Sequence, residues 1–355
     1  MRKRAYFIIL TILLSLTLAF TSCTKRIPAP EPTTTYRIHT EAQAAYLQGG
    51  TDDISYYADG TEEKSRPLPV ILDFTALSDD YIEAELSESI AFDEVYRYEI
   101  QGKTARIYNL KVGTTYYYRA KKSSGETSDI RAFRTEETCP RNLYIDGVTN
   151  ARDLGGYQTE SGRVRQGLLF RTARLNKNSV DTPVATITEK GIKTMLEELK
   201  VKTEIDLRKT STNEIGGLTA SVLGSTVNYV NCPMTYNADM LSANDESLLK
   251  FFKLLADESN YPIFFHCSIG TDRTGFCAYL LLTLLGVKQE EVYRDYLFSN
   301  FGSIGGDRGL TNVGGFALFI AIQEGSTQAQ KVENYLLSIG AKQQEIDAFK
   351  RIMIE

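Results

Sequence analysis

Pro262-Ile263-Phe264-Phe265-His266-Cys267-Ser268-Ile269-Gly270-Thr271-Asp272-Arg273-Thr274-Gly275 runs directly into Phe276-Cys277-Ala278-Tyr279-Leu280-Leu281-Leu282-Thr283-Leu284-Leu285-Gly286. The stretch reads in three pieces. Ile263 to His266 is a short apolar run that predicts a buried strand. Ser268 to Arg273 reads as a loop with a glycine in it. Gly275 to Leu285 is apolar and free of proline, which predicts a buried helix stopped at Gly286. A strand, a tight loop and a helix start make an anion cradle, because the N–H groups of loop and helix converge on a negative guest.

The chemistry of the residues fits such a cradle. A field that holds an anion also favours thiolate over thiol at Cys267, and a thiolate is a competent nucleophile at neutral pH. Arg273 can fork two N–H bonds onto two phosphate oxygens, which lysine cannot. The Thr274 hydroxyl can donate to the thiolate or to a leaving group, and His266 can fix the loop through its backbone. Nucleophile, oxyanion holder and phosphate cradle thus fall in one stretch, the set needed for phosphoryl transfer to cysteine.

His266-Cys267, five residues, then Arg273-Thr274-Gly275 resembles the signature of the cysteine-dependent protein tyrosine and dual-specificity phosphatases. The ending Gly270-x-Asp272-Arg273-Thr274-Gly275 is similar to bacterial tyrosine and lipid phosphatases whose loop reads His-Cys-x-x-Gly-Lys-Asp-Arg-Thr-Gly. The resemblance implies Cys267 as nucleophile and Arg273 as phosphate holder. His266, Ser268, Ile269, Gly270, Thr271, Thr274 and Gly275 would form the rest of the phosphate-binding loop. It implies no metal and no cofactor. This chain departs from the pattern at Thr271, where the family has Lys. Losing that cation weakens the case for a polyanionic inositol phosphate or phosphoinositide and leaves a phosphotyrosine-type monoester as the expected substrate.

Working outward, Asn150-Ala151-Arg152-Asp153-Leu154-Gly155-Gly156-Tyr157 and Gly167 to Leu175 resemble the family's opening segments. Strand-like Val201 to Ile205 leads to Asp206-Leu207-Arg208, with Glu214 a short loop later. Val332 to Ile354 has helical periodicity and resembles the closing helices. For Arg152, Asp153, Arg171, Asp206 and Arg208, an internal ion-pair network under the site and direct substrate contact both remain open. Alternating strand and helix signals predict an α/β fold, a mostly parallel sheet flanked by helices over residues 139–355. Cys267 then lies at the carboxyl end of a central strand, where open α/β sheets bind ligands. Gly302 to Gly315 reads as a structureless rim, either a lid over the cleft or an insertion.

Cleavage by thiolate needs a proton for the departing oxygen. There is no tryptophan, so a Trp-Pro-Asp acid loop cannot exist. Asp272 is the preferred acid, because phosphatases resembling the myotubularins are believed to use an Asp at this place. Asp206, at the end of a neighbouring strand, is the second candidate. Asp239 and Asp245 are next.

The 355 residues suggest about two domains. A net charge of −5 offers nothing to nucleic acid. Residues 36–138 carry short β-branched and aromatic runs at 70–74, 81–86, 95–100, 105–110 and 115–120, which predict a small all-β sandwich. Asn109 to Tyr116 resembles the stretch before the tyrosine corner of fibronectin type III domains, with Val112 in place of that family's Pro and Tyr116 as the corner tyrosine. No ligand for it is readable.

Met1 to Arg4 is basic, Ala5 to Phe20 is apolar, and Thr21-Ser22-Cys23 follows, an order that reads as a secretory signal. It resembles a bacterial lipobox, which implies a lipidated Cys23, a Pro- and Thr-rich tether over 24–35 and an exported, membrane-anchored lipoprotein. Of the other cysteines, Cys277 reads as core and a Cys139–Cys232 bridge is open. With only His39 and His266, a histidine-built metal site is not expected. Three readings follow: a phosphotyrosine-type phosphatase acting on a phosphorylated protein or small phosphate ester, a phosphoinositide or inositol phosphate phosphatase, or a non-catalytic phosphate-binding or adhesion lipoprotein.

Overall fold

The computed structural model describes residues 29–49, 54–177, 186–210, 212–235 and 243–355. The basic and apolar leader, Cys23 and Asp239 lie outside these residues, so the lipobox expectation has no structural counterpart to describe. Among the described residues no helix is long and apolar enough to cross a membrane.

The expected N-terminal runs form β2 (Val70–Asp73), β3 (Tyr81–Ser87), β4 (Tyr96–Glu99), β5 (Thr104–Ile107) and β6 (Thr115–Lys122). Two strands were not anticipated, β1 (Thr35–Tyr36) and β7 (Arg131–Thr135). β1 pairs in parallel with β7, so the expected tether ends inside the sheet at Thr35. One sheet is ordered β1-β7-β6-β3-β4 and the other pairs β2 with β5. Both feed one core of alternating apolar positions, including Val70, Leu72, Ala105, Ile107, Leu86, Tyr116 and Phe133. The Tyr116 hydroxyl accepts from the Lys111 N–H at 2.8 Å, and its ring stacks on Phe133.

Helix α1 (Glu41–Gln48) was not expected in this region. Thr40 caps it through the Gln43 N–H, and Gln43 returns a bond to the Thr40 N–H. Its Tyr46 and Leu47, with Ile54 and Ala58 beyond, are buried in the core of the following unit, against residues such as Phe301. Residues 41–49 and 54–58 therefore pack with the second unit and not with the sandwich expected over 36–138.

That second unit contains β8 (Arg141–Asn142), β9 (Arg152–Asp153), β10 (Gln158–Thr159), β11 (Gly162–Arg163), β12 (Leu169–Thr172), β13 (Thr203–Asp206), β14 (Asn228–Asn231) and β15 (Ile263–His266). Its helices are α2 (Glu189–Lys193), α3 (Thr212–Ile215), α4 (Asp245–Leu255), α5 (Asp272–Leu284), α6 (Gln289–Leu297), α7 (Leu310–Ala321), α8 (Gln328–Ser338) and α9 (Gln343–Met353). The main sheet is ordered β14-β13-β15-β12-β9-β8. β14, β13, β15 and β12 run parallel, while β9 and β8 are antiparallel additions. β15 is thus central and buried on both faces. Ile263 and Phe265 face the core shared with α4 to α9, whereas Phe264 faces a second core with Phe170, Met195 and Leu199.

One sequence expectation needs correction here. The run from Gly302 to Gly315 is not structureless throughout, because Gly314 and Gly315 lie within α7. Its first half is tied down: the Ser303 N–H donates to Thr149, and the Ile304 N–H donates to the Gly60 carbonyl. The closing run forms helices as expected, two of them, separated at Gly340, whose φ of 105° is a left-handed conformation that suits glycine. Cys139 and Cys232 do not pair; both thiols are free, Cys139 against Gly156 near the junction of the units and Cys232 in the larger core.

Candidate active site

The loop between β15 and α5 is shorter than expected. α5 begins at Asp272, so Arg273 and Thr274 sit in its first turn and their side chains project from a helix N-terminus. The intervening residues are held from outside by donors to their carbonyls. His266 Nδ1 lies 3.1 Å from the Cys267 oxygen. The Arg174 N–H donates to the Ser268 oxygen, Asn150 donates to Ile269, and Arg171 donates to Gly270 at 2.8 Å. A trans peptide points its N–H opposite its carbonyl. Turning the carbonyls outward therefore turns the N–H groups inward, as an anion seat requires. Gly270 has φ +72°, and a Cβ there would stand 2.4 Å from the Thr172 oxygen, so the loop closes this tightly only with glycine.

Cys267 is buried at the head of this seat. Burial by itself would push its thiol up, but the Arg273 guanidinium and the hydroxyl and N–H of Thr274 outweigh that and hold it below the ordinary thiol value. Arg273 reaches past the thiol to the Met234 carbonyl at 3.2 Å and forms an ion pair with Glu214. Glu214 also accepts from the Ser268 hydroxyl and the Lys209 N–H, so it aligns both the arginine and the loop. Thr271, at the family's Lys position, is buried and bonded to Asn150.

The remaining expected residues form a buried ion-pair floor. Arg152 and Arg171 both grip Asp295 of α6, and Arg171 continues to the Gly270 carbonyl. Arg141 holds Asp153, which also accepts from the Gly155 and Gly167 N–H groups. Asp206 is fully buried and takes a two-pronged bond from Arg208 plus the Tyr229 hydroxyl at 2.9 Å. Burial alone would raise its carboxyl, but His266 and Arg208 hold it below the ordinary range. Arg208 takes Asp206, and Glu214 takes Arg273. His266 donates toward Glu204 at 2.9 Å. Glu204, Asp206 and His266 cluster as metal-ligand types do, yet the Arg208 guanidinium already meets the Asp206 carboxylate there.

Asp272 is placed differently. It sits on the rim side of α5, accepting from the Tyr296 hydroxyl at 3.2 Å and from Arg308 at 3.0 and 3.1 Å. Asp245 lies at the start of α4 bonded to Tyr335, away from the loop. Sequence reading did not find Asp295, Asn150 or Arg308 as site residues. Asp295 had a signal: it falls three residues after Val292 and one before Tyr296, a charge on the apolar stripe of an amphipathic helix.

The tyrosine phosphatase family profile matches residues 143–355, which contain all of this geometry except Arg141. The chain belongs to the tyrosine phosphatase family. A Cupriavidus necator protein provisionally named a tyrosine-protein phosphatase is 31% identical over 176 residues, 45% of this chain and 63% of that one. A Nostoc commune protein named tyrosine-protein phosphatase is 32% identical over 123 residues, 28% of this chain and 41% of that one. The matches thus span less than two thirds of either relative. The core catalytic domain of the PP-IP phosphatase SIW14 from S. cerevisiae overlaps 47% of this chain and 80% of its own at 15% identity. Its TM-score of 0.29 is too low to carry an argument.

Proposed function

We propose that the chain hydrolyses phosphate monoesters, with phosphotyrosine in proteins as the main substrate class, through a phosphocysteine on Cys267. The observation that carries this is a thiol lowered in pKa despite complete burial, with Arg273 and Thr274 presented beside it by a helix start. The thiolate attacks phosphorus as the ester P–O bond breaks. Inward N–H groups and Arg273 take up the charge on the phosphoryl oxygens. Asp272 gives its proton to the departing oxygen. Water then attacks the phosphocysteine, Asp272 takes the proton back, and inorganic phosphate leaves with the thiolate restored. Asp206 is poorly suited to that role, because its carboxylate is enclosed by Arg208 and Tyr229. Asp272 is tied to Arg308, and that pair must loosen for Asp272 to carry a proton.

Turnover of p-nitrophenyl phosphate and of a phosphotyrosine peptide by the full chain tests the reading. Cys267→Ser should abolish both with the fold intact. Arg273→Ala should cost about 3 kcal/mol or more in kcat/KM. Retained turnover in Cys267→Ser overturns the mechanism. No turnover by the unmodified chain favours a phosphate-binding or adhesion role, and a preference for inositol phosphates moves the substrate class.

We also propose that the protein is exported and anchored through lipid on Cys23, and that the β1–β7 unit is a fibronectin type III-like spacer. The basic, apolar, small-Cys order of residues 1–23 supports the first. The Tyr116–Lys111 bond supports the second, since a tyrosine corner makes this kind of contact. Cys23→Ala protein that still fractionates entirely with membranes would rule out the anchor.

A further inference from the structure

Four arginines are among the largest fully buried side chains, Arg152, Arg171, Arg174 and Arg208. Three have carboxylate partners: Asp295 serves Arg152 and Arg171, and Asp206 serves Arg208. Arg174 pairs with no carboxylate among the described residues. Its Nη1 makes one long bond, 3.4 Å, to the Ser268 carbonyl, which its own backbone N–H already contacts at 3.3 Å. Its Nε is buried with no partner. Holding the loop therefore does not need this guanidinium. An unpaired buried charge is costly, and proteins keep one where a ligand supplies the counterion.

The charges around the seat point the same way. Arg273 is matched by Glu214, and Asp272 by Arg308. What remains beside the loop is the Cys267 thiolate and Arg174, which feel each other's charge. In the phosphocysteine the negative charge passes from sulfur to the phosphoryl oxygens, which the inward N–H groups and Arg273 take up within the seat. Arg174 is as little exposed as the reacting groups, 2% against 2% for Cys267 and 5% for Arg273. It approaches the loop at an outward-facing carbonyl, beside the seat of the transferring phosphoryl group and not within it.

We infer that Arg174 forms a subsite for a second anionic group, phosphate or carboxylate, next to the scissile phosphate. It would supply a cation that Thr271 lacks, from a different strand end. This rests on the phosphatase reading above, and it makes Arg174 a specificity residue for that reaction.

The test compares phenyl phosphate with catechol bisphosphate in the full chain. With Arg174 present, kcat/KM should favour the bisphosphate. Arg174→Gln should reduce that preference about tenfold to a hundredfold, the usual worth of a hydrogen-bonded charge, chiefly through KM. Arg174→Lys should restore part of it and shows that the site tolerates substitution. Calorimetric binding of both compounds to Cys267→Ser, with and without Arg174→Gln, gives the answer without turnover. If the unmodified chain hydrolyses neither compound but the binding preference still depends on Arg174, the phosphatase reading fails and the subsite stands. Equal effects of Arg174→Gln on both compounds, or none on either, overturn the subsite.

Discussion

In the six-stranded unit, Arg152, Arg171 and Arg208 lie fully buried against Asp295 and Asp206. In the five-stranded sheet, Lys122 reaches Asp80 and Glu126, and Arg97 reaches Glu83, at the edge of solvent. Glu85 is the exception there, a buried carboxylate served by Arg119 and Lys121. Exposed pairs are screened and contribute little. Buried pairs are costly to form, and breaking one strands a charge. The difference separates charge that keeps a surface soluble from charge that sets positions. The pairs of Arg171 and Arg208 touch the loop or a strand end beside it, whereas Arg141 and Asp153 brace the opposite end of β12.

The sharpest way to break this contrast is Asp295→Asn. It removes the carboxylate from two buried arginines at once, and the cost should be about 3–5 kcal/mol, read as a drop in the urea midpoint. A loss below about 1 kcal/mol would make the floor no different from a surface pair. The pH dependence follows. Burial alone would raise the Asp295 carboxyl, but Arg152 and Arg171 hold it below its ordinary value. Its contribution is therefore complete above the unfolded value of about 3.9 and is lost as pH falls through the lower folded value. Unfolding of the second unit should steepen only at strongly acidic pH.

Next in size is Asp272→Asn. It should slow phenyl and alkyl phosphates roughly a hundredfold, the scale of general acid catalysis, and a nitrophenyl ester much less, since that leaving group departs without a proton. Asp206→Asn should slow both classes alike, as expected of a group that only braces Arg208. The reverse pattern would exchange their roles.

In the first unit, Tyr116→Phe should cost about 1–3 kcal/mol by leaving the Lys111 N–H without its partner. Activity should be unaffected. Lys122→Ala is the smallest, at most about 1 kcal/mol and reduced further by salt. A larger value there would erase the contrast from the other side.

Much of the site was legible because it is continuous in the chain. The β15–loop–α5 segment writes its strand, its turn and its helix in consecutive residues, and local backbone rules alone turn those into an anion seat carrying Cys267 and Arg273. The sheet followed from the same local signals, apolar runs at strand length separated by helix periods. Residues 302–315 and 41–48 misled for the converse reason: glycines in α7 and mixed polarity in α1 are weak local signals that packing overrides. The partners were not legible at all. That Asp206 goes to Arg208 while Glu214 goes to Arg273, that Asp295 serves two arginines more than a hundred positions away, and that Arg174 meets no carboxylate among the described residues are outcomes of which strands lie side by side. Sequence determines which charges exist and which local shapes they ride on. Only the tertiary structure, by excluding water around some of them, decides which charges must be paired.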